Sequence, residues 1–129
     1  MPANNFDYAV IRVVPRVDRG EFLNAGVILF CRVQRFLAAV VELDETRLAA
    51  LAPDADQVEI RRHLDLIPAI CRGGPGSGPI GALSQTERFH WLVSPRSSVI
   101  QTSPVHCGLS DDPEAALRDL VARLVLIHA

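Results

Sequence analysis

Val27-Ile-Leu-Phe-Cys31 is an apolar run without polar alternation, and such a run favours a strand covered on both faces. It lies in a predicted strand, Asn24–Val33, in which Asn24 and Gly26 both tolerate positive φ and favour a bulge or a close backbone approach. Predicted strands Phe6–Pro15 and Phe36–Leu43 lie on either side in sequence. Because the connections between them are short, the stretch predicts a three-stranded antiparallel meander.

Helical signals follow the meander. Asp44 is a good N-cap for a short helix that ends before Pro53. A second helix is predicted from Asp56, with Pro68 kinking it or ending its regular part. The later predicted elements are a strand at Arg88–Val93, a strand at Ser98–Thr102, and a final helix with Asp112 as N-cap and Pro113 at its first position.

This order of elements predicts the fold class. Strands and helices occur in separate runs, and no strand alternates regularly with a crossover helix. The prediction is an α+β fold with one mainly antiparallel sheet, made of the N-terminal meander and two later strands, with helices packed on one face. At 129 residues, positions 1–129 are expected to form a single domain.

Composition and charge exclude some functions and disfavour others. A hydrophobic content of 49% with 22% charged residues is typical of a globular chain. The net charge of −2 gives no overall field that would attract nucleic acid or an anionic membrane. All thirteen basic residues are arginine, which excludes a Schiff base, a lysine general base and a phosphate-loop lysine.

The cysteines and the N-terminus indicate a compartment. Cys31, Cys71 and Cys107 are odd in number and show no C-x-x-C spacing, which favours a reducing cytoplasm. The N-terminus lacks the basic start and apolar run of a signal peptide. No apolar stretch approaches the roughly 20 residues that span a bilayer. We therefore expect a soluble cytoplasmic protein without membrane contact.

Two motifs resemble cofactor or metal sites but lack the required context. Gly76-Ser-Gly-Pro-Ile-Gly81 matches G-x-G-x-x-G, yet a predicted helix precedes it and a proline stands inside it, so a flexible connector is favoured over a nucleotide site. His106 and Cys107 are adjacent, but the remaining cysteines and histidines do not complete a zinc pattern. The sequence predicts no cofactor and no metal.

The arginines provide the candidate binding site. The planar guanidinium fork suits capture of a carboxylate or phosphate. If the segment Pro95–Ser98 comes near the first hairpin connection, an anion site forms there; its candidate residues are Arg16, Arg19, Asn24, Arg96 and Ser98. The alternative is local ion pairing, such as Arg19 with Asp18 or Glu21.

Glu21 and His106 are the only plausible acid–base pair in the chain. Histidine titrates near neutral pH, but nothing in the spacing brings these two residues together. The chain also has no G-x-S-x-G elbow for a serine nucleophile. Catalysis is therefore not favoured, although the sequence leaves it open.

Two long strings carry a family resemblance. They are Tyr8-Ala-Val-Ile-Arg-Val-Val-Pro-Arg16 continuing through Arg19-Gly-Glu-Phe-Leu-Asn-Ala-Gly-Val-Ile28, and Arg88-Phe-His-Trp-Leu92 continuing to Pro104-Val-His-Cys-Gly-Leu109. With the Asp112-Pro113 helix start, they resemble a bacterial family known as domain of unknown function 3037. The resemblance implies no established activity. It does imply a possible partner, a HipA-like protein kinase, because genes for such kinases often neighbour those of the family.

Three functions follow as hypotheses. The leading one is a non-catalytic accessory or regulatory module that binds a protein partner through its arginine-bearing loops. The second is a small enzyme or sensor for an anionic metabolite carrying phosphate or carboxylate. The third, nucleic-acid binding, is disfavoured by the acidic net charge.

Overall fold

The sheet contains the predicted meander and two short later strands. The structure is a computed structural model that describes residues 3–127. β1 (Asn4–Val13), β2 (Leu23–Cys31) and β3 (Phe36–Val41) are consecutive antiparallel neighbours, and β4 (Ile100–Thr102) and β5 (His106–Ser110) both pair with the other side of β1. The order is β3-β2-β1-β4, with β5 beside the first half of β1. The α+β class and the antiparallel sheet are confirmed.

Four helices complete the fold: α1 (Glu45–Leu51), α2 (Gln57–Arg72), α3 (Gln85–Leu92) and α4 (Pro113–Leu124). Their N-terminal N–H groups need acceptors that the helix itself does not supply. Side chains of Asp44, Asp56 and Asp112 accept from backbone N–H groups three residues on, as the sequence predicts. α2 runs continuously through Pro68 to Arg72, so the proline does not end it.

β2 lies at the centre of two apolar cores. Ile28 and Phe30 pack into a core with α2 and α3 on one face of the sheet. Val27 and Leu29 pack with α4 on the other face. The apolar run in β2 therefore forms a strand covered on both faces, as predicted. The prediction that the helices pack on one face is wrong, because the second apolar face of β2 also needs a cover and α4 supplies it.

Gly26 sits at the irregularity between β1 and β2. The register shifts between Ile11 and Arg12, which pair with Gly26 and Asn24, so that Ala25 is the extra residue. A Cβ atom at Gly26 would overlap the carbonyl oxygen of Val40 in β3. The predicted bulge and close backbone approach are both present, and only glycine fits without a shift.

α3 replaces the strand predicted at Arg88–Val93. Ser84 and Glu87 form a capping box: the Ser84 Oγ accepts from the Glu87 N–H at 3.2 Å, and the Glu87 carboxylate accepts from the Ser84 N–H at 3.2 Å. Phe89 and Leu92, three residues apart, are the apolar residues that become buried. The alternation of Phe89, Trp91 and Val93 suggested a strand, but the helix start signal and the three-residue spacing decide the structure.

The α3–β4 connection is held against the end of β1. The Val14 N–H donates to the Val99 carbonyl at 2.6 Å. Ser103 is buried between β4 and β5, and its Oγ accepts from the Val10 N–H at 2.8 Å. Val10 is a position of β1 that pairs with neither β4 nor β5. These bonds place the connection beside α2, and a groove lies between them.

Candidate functional site

A groove of about 550 Å³ lies between α2 and the α3–β4 connection. Its α2 side presents Ile60, Leu66 and Ile67, and its far side presents Trp91 and Val99. Polar groups occur at the rim, and the complete rim set is Asp56, Glu59, His63, Arg96 and Ser98. Volumes of this order are typical of sites that hold small ligands or the side chains of a partner segment.

Three large apolar side chains of the groove remain exposed to solvent. Leu66 is 47% exposed, Trp91 40% and Val99 36%. Ile60 and Ile67 are buried on α2 beneath them. Burial of these three side chains by a partner would be favourable, because it removes apolar surface from water.

Arg96 is the charged group built into this groove. Its guanidinium carbon lies 4.3 Å from the centre of the Trp91 ring, and its nitrogens donate to the carbonyls of Trp91 at 2.5 Å and Leu92 at 3.4 Å. Burial lowers the pKa of Arg96 from its ordinary value. Within residues 3–127, no carboxylate lies within 4.0 Å of its nitrogens. The stack therefore holds a half-buried cation without an anionic partner.

The other rim of the groove carries an ion cluster on α2. Glu59 accepts from Arg62 at 2.5 Å, and one of its oxygens lies 2.9 Å from His63 Nε2. The hydrogen bond from Arg62 is the largest cause of a lowered pKa at Glu59, and His63 adds to it. The two rims therefore differ: Glu59 on the α2 rim is already paired with Arg62 and His63, whereas Arg96 on the opposite rim has no carboxylate partner within residues 3–127.

The predicted anion-binding arginines do not share one site. The Arg16 guanidinium lies 3.6 Å from the Asp54 carboxylate, and Arg19 is paired with Glu21. The Arg19–Glu21 pairing lowers the pKa of Glu21 chiefly through the hydrogen bond from Arg19. Neither arginine is among the residues that line the groove. Of the first connection, Pro15 reaches the groove beside Arg96 and Ser98.

Ser98 and Asn24 have different surroundings. Ser98 lines the groove, and its hydroxyl donates to the Ile100 carbonyl at 2.8 Å. Asn24 lies on the opposite face of the sheet, where its amide donates to the Leu124 carbonyl at 3.0 Å near the end of α4. The structure therefore brings Arg96 and Ser98 together and separates both from Asn24.

Glu21 and His106 lie toward opposite ends of β1. His106 pairs with Tyr8 in the ladder and contacts its ring at 5.4 Å between centroids. Glu21 precedes Leu23, which pairs with Val13. Five residues of strand separate Tyr8 from Val13, about 16 Å at the usual rise. The two side chains are too far apart to exchange a proton directly.

The glycine-rich motif and the cysteines provide no further site in the described chain. α2 precedes Gly76–Gly81, and a 3-10 turn, Ile80–Ala82, overlaps its end. Across residues 3–127, no three His, Cys, Asp or Glu side chains are grouped to hold a metal ion. Over the same range, no helix combines the length and apolar character that crossing a bilayer requires.

Sequence reasoning missed Trp91 and Leu66 as site residues. Trp91 lies in the strand that the sequence predicts at Arg88–Val93, where an aromatic side chain is usually core. Leu66 lies outside the apolar stripe that helical spacing predicts for α2, and this position is the one available signal. The stripe consists of Ile60, Leu64, Ile67 and Cys71. Trp91 and Leu66 indicate a groove only when residues Gln85–Leu92 form a helix, because Trp91 then lies across the groove from Leu66.

The structure is a small α+β fold with an apolar groove that carries the half-buried Arg96 at its rim. The chain belongs to the family described as Protein of unknown function (DUF3037), which matches residues 8–125. No curated protein and no solved structure matches the chain.

Proposed function

We propose that this protein is a non-catalytic binding module whose groove receives an apolar segment of a protein partner. An acidic side chain of that segment would pair with Arg96. The observation that carries the proposal is the combination of three exposed apolar side chains with a stacked arginine that has no carboxylate partner in the described chain.

The chemistry of the groove defines the partner segment. Leu66, Trp91 and Val99 favour aliphatic or aromatic side chains. Arg96 favours a carboxylate, since a charge-assisted hydrogen bond to a half-buried guanidinium is stronger than one in open water. Arg62 and His63 on the opposite rim are already engaged by Glu59, so they offer no competing site for the acidic group. The expected segment is therefore amphipathic, with its acidic residue toward the α3–β4 connection.

The first partner to test is a HipA-like kinase, as the family resemblance implies. We place the complex in the cytoplasm, with support from three cysteines that are free thiols.

The test is a binding titration with the purified kinase, using two groove variants, Leu66→Asp and Arg96→Glu. The matched control is Val58→Asp, because Val58 is also on α2, is 81% exposed and does not line the groove. We expect the wild type and the control to bind alike, and both groove variants to lose at least about tenfold in affinity. Equal binding by all four proteins, or no complex with the wild type, would overturn the proposal.

A second candidate function uses the same groove for a small anionic amphiphile. It is favoured by the volume of about 550 Å³ and by the guanidinium stacked at its rim. Trp91 is the only tryptophan in the sequence, so its fluorescence reports occupancy. Decanoate should shift the emission and decanol should not, if the carboxylate is recognised. Identical responses would reject recognition of the anion.

Nucleic-acid binding receives no support from the positions of the arginines. Within residues 3–127, six of the thirteen form ion pairs with carboxylates: Arg16, Arg19, Arg61, Arg62, Arg118 and Arg123. Such pairs reduce the counterion release that drives binding to phosphates. We therefore do not extend the proposal to nucleic acid.

A further inference from the structure

β3 is an edge strand whose outer backbone groups are unpaired in the described chain. The Glu42 N–H donates to the Ala25 carbonyl at 2.8 Å, which makes Ala25 and Glu42 a hydrogen-bonded pair. The regular register then directs alternate residues of β3 toward β2. The other three direct their N–H and C=O groups outward; they are Leu37, Ala39 and Val41. No hydrogen bond from another described element reaches them.

The edge lacks the features that usually block strand pairing. The sequence Phe36-Leu-Ala-Ala-Val-Val41 contains no charge and no proline, and its register with β2 has no bulge. Monomeric proteins commonly protect such an edge with one of these devices. Five of the six residues are only partly buried, although helices cover both faces of the sheet.

We propose that β3 pairs with β3 of a second copy of this chain, antiparallel, about a two-fold axis through Ala39. When a two-fold axis relates two neighbouring antiparallel strands of one sheet, the axis is perpendicular to that sheet. Each face of the sheet then lies on the same side in both copies. Paired residues must therefore lie on the same face, and Ala39 opposite Ala39 places Leu37 opposite Val41. In this register every outward N–H and C=O of the three residues has a partner. The two five-stranded sheets become one continuous sheet.

Charges at the two ends of β3 favour a second copy as the occupant. Arg32 and Arg35 lie in the turn before the strand, and Glu42 follows it directly. Antiparallel pairing places the basic turn of each copy beside the acidic end of the other. Neither Arg35 nor Glu42 has an ion-pair partner among residues 3–127. This complementarity is satisfied twice in a symmetric dimer.

The pairing leaves the groove free. β4 and the α3–β4 connection lie beyond β1, on the side of the sheet away from β3. In a dimer through β3, the α3–β4 wall of each groove would therefore lie on the side away from the dimer contact. A partner with two suitable segments would then bind with an increased effective concentration.

The test is the molar mass of the purified protein by analytical ultracentrifugation over a concentration series. We expect a dimer for the wild type and a monomer for Ala39→Pro, which removes an outward N–H without touching the bonds to β2. Because that variant can also fail to fold, a charge-reversal series provides a second measurement. Arg35→Glu should weaken the dimer at least about tenfold, and adding Glu42→Arg should restore it.

The control is Arg118→Glu, a reversal on the exposed face of α4, which should leave the dimer unchanged. A wild type that is monomeric at every soluble concentration would overturn the proposal. So would a dimer that persists in folded Ala39→Pro, or a charge-reversal pair without restoration.

Discussion

The guanidinium of Arg96 stacks at 4.3 Å on the ring of Trp91, and this contact joins the loop after α3 to the helix itself. Two carbonyls at the end of α3 accept hydrogen bonds from the same guanidinium. Arg96 therefore satisfies helix-end acceptors and shapes one wall of the groove at once.

Replacing Arg96 with alanine should lower the free energy of unfolding by about 1 kcal/mol, since it removes the stack and the two carbonyl contacts. Urea denaturation measures this, and the Trp91 emission should shift in the folded state. Arg118→Ala is the control, because its exposed ion pair with Glu114 at 3.8 Å contributes about 0.5 kcal/mol or less. Equal losses in the two variants would contradict the structural role of the stack.

Arg88 is a buried arginine of α3 whose side chain caps the C-terminal end of α2. It donates to the carbonyls of Ile70 at 2.9 Å, Cys71 at 2.6 Å and Leu83 at 3.0 Å. Arg88→Met keeps most of the volume but leaves these carbonyls without the donor. We expect a loss of roughly 1–3 kcal/mol in denaturation experiments.

The control for Arg88 is Arg72→Met, an exposed arginine in the last turn of α2. It tests whether loss of a positive charge near the helix end explains the effect. A change of similar size in both variants would show that the three hydrogen bonds are not the cause.

Gly26→Ala should destabilise the sheet by about 1–3 kcal/mol, because the new Cβ would overlap the Val40 carbonyl oxygen and force β3 to move. Thermal denaturation provides the measurement. Gly20→Ala is the comparison: its Cβ has open space, and its φ of 71° alone costs about 1–2 kcal/mol. An unchanged Gly26→Ala protein would mean that β3 can shift freely.

Glu59 should titrate below its ordinary pKa of 4.5, chiefly because Arg62 donates hydrogen bonds to its carboxylate. A lowered pKa in the folded state means that the stabilising contribution is present above pH 4.5. It is lost as the pH falls through the lower value. NMR titration of the Glu59 carboxyl carbon measures the midpoint directly.

Arg62→Ala should raise the midpoint of Glu59, whereas Arg61→Ala should not, because Arg61 lies 3.5 Å from Glu45 instead. The two arginines are neighbours on α2 with the same charge. Equal shifts would indicate a general field effect rather than the specific hydrogen bonds.

The meander was predictable because its signals are local. The apolar run in β2 and the conformational freedom of Asn24 and Gly26 each act within a few positions of the chain. The aspartate caps of α1, α2 and α4 are local in the same sense. α3 was predicted wrongly where two local signals conflicted, and the Ser84–Glu87 capping box prevailed over the alternation around Trp91.

The site was not predictable to the same degree. Arg96 and Ser98 were recognised as candidates from residue type, but their neighbours come from distant parts of the chain. Arg16 meets Asp54, which no spacing rule indicates. The Arg19–Glu21 pair, by contrast, was foreseen as the alternative to an anion site because the two residues are close in sequence.

The sequence by itself determined the strand order of the meander, most of the helix starts and the covering of β2 on both faces. These features depend on capping hydrogen bonds and apolar patterns that involve only neighbouring residues in the chain. Only the tertiary structure decided that α2 and the α3–β4 connection enclose a groove with Arg96 at its rim, and that β3 is left at an edge. Those features depend on which helices pack on each face of the sheet. That packing is set by apolar contacts between side chains that are far apart in the sequence.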